Sequence, residues 1–117
     1  FKSLLIKVDM PALSSPIAKT EAVEEEIVEA IDAGSISSTV ARMLLDSLTP
    51  IQTKLAWIAA NPSSPDLARI KKETCSLITQ FNTQMDHYVR LRRLPANLRD
   101  AWKADMLEVK ADLGCNP

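Results

Sequence analysis

Between Ser64 and Cys115 the chain carries two helical stripes separated by Pro95, with one cysteine in each arm. Nothing else in the sequence constrains the fold as tightly. Ser64-Pro65-Asp66 reads as a helix start: a hydroxyl to cap, a proline where no amide donor is needed, and an acid in the first turn. Leu67, Ile70, Leu77, Ile78, Phe81, Met85, Tyr88 and Val89 then recur on one face at helical spacing. Pro95 disfavours helical geometry at Leu94, which sets a corner. Leu98, Trp102, Val109 and Leu113 form the returning stripe, with Asp105 lying awkwardly within it and Gly114 placed to close it.

Folding these arms antiparallel brings the sulfurs together. The rise from Cys75 to Arg93 is about 27 Å at about 1.5 Å per residue, and that from Asn97 to Cys115 is the same. Cys75 lies about 80° from the centre of its apolar face at about 100° per residue, so it can look toward a neighbouring helix. The register predicts a Cys75–Cys115 disulfide across the open end of the hairpin. By the chain-entropy argument a loop of this length stabilises by about 4 kcal/mol, less any strain. A structural disulfide implies an oxidising compartment, periplasmic or secreted.

The rest of the chain repeats the helical pattern. Ser15-Pro16 restates the start signal, and Val23, Ile27 and Ile31 form a narrow stripe that ends at Gly34. From Ile36 to Leu48 apolar residues cover more than half the helix circumference, as suits a helix in the middle of a bundle. Pro50 cannot donate to the Asp46 carbonyl, so the spacing predicts a break there, with Thr49 capping a new helix whose buried line is Ile51, Leu55 and Ile58. The expected helices cover 16–33, 36–48, 50–60, 65–94 and 96–113. The fold class is therefore all-α: an antiparallel up-down bundle of four to five helices forming a single domain over 1–117. Residues 1–15 serve as an N-terminal arm and connector, with Phe1 to Val8 read as a short helix or packing arm. Two glycines in 117 residues argue against a turn-rich β fold. A chain that begins at Phe1 rather than Met reads as a processed or trimmed product.

The functional reading follows from charge and from the absence of converging reactive groups. A net charge of -1 gives no general pull toward nucleic acid or an anionic membrane. No stretch approaches the ~20 apolar residues of a membrane span. The single histidine, His87, falls opposite Phe81 and Met85, and no Cys/His spacing offers the three or four ligands of a zinc site. Serines cluster at helix starts, where capping accounts for them. These features predict no catalytic residue, no metal and no cofactor.

Two charged regions stand out. Arg90, Arg92, Arg93, Arg99 and Lys103 gather at the Pro95 corner, where cations complement a helix C-terminus or contact an acidic partner. Trp102 lies on the core stripe, so base stacking there is disfavoured. Glu25 and Glu29 belong to an all-acidic face on the first helix, either plain solvated surface or a docking face for a basic partner. Trp57 and Leu107 fall off their helices' core faces; an exposed tryptophan is a common interface anchor. Trp57, Arg90, Arg93, Arg99, Lys103, Glu25 and Glu29 are the candidate partner-binding residues. The sequence thus predicts a non-enzymatic interaction module outside the cytoplasm: an adaptor, inhibitor or immunity-type protein binding another protein or a second copy of itself. The alternative is a carrier of an apolar ligand or lipid, with Met10, Met43, Met85 and Met106 lining a soft cavity.

Overall fold

The computed structural model describes residues 15–115. They form four helices: α1 (Pro16–Asp32), α2 (Ser38–Ala60), α3 (Leu67–Arg90) and α4 (Ala96–Asp112). Residues 1–14 of the expected N-terminal arm, Met10 among them, lie outside the described residues.

Local signals set most of the helix ends. Ser15 Oγ accepts from the Ala18 amide at 3.2 Å and Pro16 opens the first turn of α1. Ser37 caps α2 in the same way through the Val40 amide, also at 3.2 Å. α3 starts later than expected. Ser64 Oγ accepts from the nearby Asp66 amide, closing a local turn instead of capping, and the helix begins at Leu67.

The expected break at Pro50 does not occur: α2 runs through it as one helix, so the bundle has four helices and not five. Thr49 caps nothing; its hydroxyl donates back to the Leu45 carbonyl at 3.0 Å. Leu44, Leu48, Ile51 and Leu55 remain on one buried line across the proline. Proline inside a helix costs about 3 kcal/mol. Burying each of these side chains returns about 1.5–3 kcal/mol, so packing outweighs the defect. Asp46 and Pro50 are both exposed, which leaves the undonated carbonyl on the water side.

Three helices finish alike. At the end of α1 the Ser35 amide bonds the Ala30 carbonyl and the Gly34 amide bonds that of Ile31, with Gly34 at φ 76°. At the end of α4 Cys115 and Gly114 repeat the pattern onto Lys110 and Ala111, with Gly114 at φ 81°. At the end of α3 the Arg93 amide bonds Tyr88 and the Arg92 amide bonds Val89, but the left-handed residue is Arg92, at φ 61°. This closure ends α3 at Arg90, short of the expected Leu94, and Leu94 tucks into the core as the corner turns.

The helices pack in a closed ring, α1 on α2, α2 on α3, α3 on α4 and α4 on α1. Cross-links show that neighbours run in opposite directions. Late in α2 Lys54 meets Glu73, early in α3, while Ser47 reaches forward to Gln84. Lys19 at the start of α1 meets Asp112 at the end of α4, and Glu26 meets Trp102 near its start. Asp86 near the end of α3 binds Arg99 and Lys103 from the start of α4, while Lys110 donates to Thr79. Cys75 and Cys115 close the far end as a disulfide, with Cα atoms 6.6 Å apart. Val23, Ile27, Leu44, Phe81, Trp102 and Met106 fill the centre. Met106 completes the α4 stripe between Trp102 and Val109, while Asp105 sits half-buried at its edge.

Candidate functional site

The Pro95 corner divides the five clustered cations into two groups. Arg99 Nη1 lies 2.8 Å from Asp86 Oδ1 and its Nε lies 2.7 Å from Asp100 Oδ1; Lys103 Nζ reaches Asp86 Oδ2 at 3.2 Å. Partial burial works to raise the Asp86 pKa, but hydrogen bonds from Arg99 and Lys103, aided by their charges, hold it below the ordinary aspartate value. Hydrogen bonding to Asp100 and then Asp86 raises the Arg99 pKa further. These two cations are therefore committed to holding α3 and α4 together.

Arg90, Arg92 and Arg93 are different. All three are exposed, and among the described residues none makes an ion pair or a side-chain hydrogen bond. Leu91, in the same run, is 51% exposed, the most open large apolar residue among the described residues. The turn joining α1 to α2 lies alongside: Ser35 lines the same surface as Arg92 and Arg93. The corner thus presents three free guanidiniums and an exposed leucine.

The acidic face of α1 is solvated. Glu21, Glu25, Glu29 and Asp32 are exposed; Glu24 accepts from Gln52 Nε2 at 2.9 Å. Glu26, itself exposed, accepts from Trp102 Nε1 at 2.9 Å and so satisfies the indole of a fully buried ring. Nothing in the local pattern marks Glu26 out from its neighbours, because the partner lies 76 positions away. On the same seam Lys19 pairs with Glu108 and Asp112. Burial, reinforced by the charges of Glu26 and Glu108, pushes the Asp105 pKa up.

Trp57 is half-buried, and its carbonyl accepts from Asn61 Nδ2 at 2.8 Å. Leu107 and Met43 are exposed, on α4 and α2. Trp57, the Glu25–Glu29 face and the Arg90–Arg93 corner lie on different elements and do not converge on one site. His87 is exposed, its ring centroid 5.9 Å from that of Tyr88. Among the described residues no three His, Cys, Asp or Glu side chains are grouped to hold a metal ion. An apolar cavity of about 170 Å³ lies between the start of α1 and the end of α2, walled by Ile17, Leu55, Ile58 and Leu113. No helix among the described residues is long and apolar enough to cross a membrane.

No protein-family model matches the chain, and comparison with curated proteins and with solved structures returned no match.

Proposed function

We propose that the protein is a non-enzymatic protein–protein interaction module working outside the cytoplasm, of the adaptor, inhibitor or immunity type, with the Arg90–Arg93 corner as its docking face. One observation carries the reading. Two of the three equivalent helix ends place glycine at the left-handed residue, and the third places Arg92 there. A side chain in that conformation costs about 1–2 kcal/mol, and Arg92 recovers none of it through any ion pair among the described residues. Strain kept at an exposed, unpaired guanidinium suits a residue whose partner is another molecule. Leu91 beside it supplies the apolar contact that charge alone would lack. The Cys75–Cys115 bridge supports an oxidising compartment.

The carrier alternative has the α1–α2 end cavity for support. Its volume of about 170 Å³ falls below the ~300 Å³ at which small-molecule sites begin. Met85 and Met106 are fully packed in the core, and Met43 faces solvent.

The test compares the wild-type chain with a variant carrying Arg90→Glu, Arg92→Gly and Arg93→Glu. All three positions are exposed, and glycine suits the backbone at 92. The oxidised wild type should retain a stoichiometric protein partner from its native source, and the variant should lose it while still unfolding cooperatively in urea. Equal retention by both, or no stoichiometric partner for either, refutes the proposal.

A further inference from the structure

Arg92 and Arg93 line two clefts. One, of about 390 Å³, runs along Val89, Leu94 and Pro95 at the α3–α4 corner. The other, of about 450 Å³, runs along the Gly34–Ser37 turn between α1 and α2. Ser35, Arg92 and Arg93 line both, so the clefts adjoin and make a trough across this end of the bundle. Its walls mix guanidinium, hydroxyl and apolar groups.

We propose that this trough binds a short acidic segment of the partner that also carries apolar side chains. The inference rests on the docking reading above and adds the chemistry of what docks. Charge complementarity selects carboxylates: Arg92 and Arg93 line both clefts and have no internal partner among the described residues. Val89, Leu94 and Pro95 in the first cleft offer the apolar contact. Long polyanions and anionic membranes are disfavoured by the neighbouring end of α1. There Glu29 and Asp32 stand exposed, and Asp32 lies two positions from Gly34 of the trough wall. A short segment confined to the trough avoids those carboxylates, whereas an extended anionic surface meets them.

The experiment measures fluorescence anisotropy with three probes on the oxidised protein: a labelled extended peptide of alternating Glu and Val, its Lys–Val counterpart, and phosphatidylglycerol vesicles. The Glu–Val peptide should bind at low ionic strength and weaken by about tenfold or more at ~0.5 M salt, as exposed ion pairs are screened. The Arg90→Glu, Arg92→Gly, Arg93→Glu variant should lose it, and the Lys–Val peptide should not bind. If vesicles bind through the arginines while the Glu–Val peptide does not, the acidic-segment inference is overturned although the corner still docks a ligand. If the triple variant loses its native protein partner while the Glu–Val peptide binds neither form, the acidic-segment inference falls and the protein-docking reading stands. If neither the partner nor any probe distinguishes wild type from variant, both fall together.

Discussion

Arg92→Gly should stabilise the protein, and the structure supplies its own controls. The α3 end has the same paired amide–carbonyl closure as the ends of α1 and α4, with φ of 61° at Arg92 against 76° at Gly34 and 81° at Gly114. A side chain in this region costs about 1–2 kcal/mol. Glycine removes that cost but gives the unfolded chain more freedom, worth about 0.5–1 kcal/mol in the other direction. The expected net gain is therefore about 0.5–1 kcal/mol. Gly34→Ala and Gly114→Ala run the comparison backwards. An added Cβ meets nothing within 4 Å at either site, so their loss, about 0.5–1 kcal/mol each, measures backbone conformation without a steric clash. Urea unfolding of the oxidised proteins gives all three values on one scale, with m unchanged. A neutral or destabilising Arg92→Gly beside normal losses at Gly34 and Gly114 refutes the strained-arginine argument. The same substitution should weaken partner binding, so stability and binding move in opposite directions at this residue.

Reducing the protein, or replacing both cysteines by alanine, should lower its stability by about 4 kcal/mol in urea unfolding; a loss below about 1 kcal/mol would show that the closed end is held by packing alone. Asn82 is 6% exposed and its Oδ1 has no hydrogen-bond partner, so Asn82→Leu should raise the unfolding midpoint by about 1–3 kcal/mol of stability; a loss would mean that a bridging water satisfies it. Asp105 sets a pH dependence. Its pKa is raised on folding, so its contribution is complete below the unfolded value of about 3.9 and is lost as pH rises through the folded value. Asp105→Asn should therefore exceed wild type in stability at neutral pH, with the difference closing toward about pH 4. Asp86 and Glu73 act in the opposite sense: their pKa values are lowered, so their stabilisation disappears as pH falls through those folded values. A constant gap between Asp105→Asn and wild type across that range would remove Asp105 as its source.

Much of this architecture was legible because its causes are local or are matched rises. Ser15-Pro16 marks a helix start through groups within one turn, and Gly34 and Gly114 mark ends because few other residues accept that backbone. The cysteine pairing could be read from the sequence because equal helical rises on either side of a proline corner return both sulfurs to one level. The candidate corner was legible only as a cluster of five cations. Separating committed Arg99 and Lys103 from free Arg90, Arg92 and Arg93 required knowing where Asp86 faces across the α3–α4 seam.

Tertiary packing decided the remainder. Pro50 carries a strong local signal for a break, yet a buried line on the opposite side of α2 holds both halves on one axis. Glu26 is one carboxylate among many on α1 until Trp102 arrives from the other end of the chain and needs an acceptor. Arg92 carries no residue-type signal for a left-handed turn, yet it takes one at the corner where α3 closes and Leu94 enters the core. Sequence alone determined the all-α class, several helix ends and the register of the bridge, since those depend on neighbours within a few turns and on length. The structure decided which defects are tolerated and which charges remain free, since those depend on what the bundle brings against each side chain from afar.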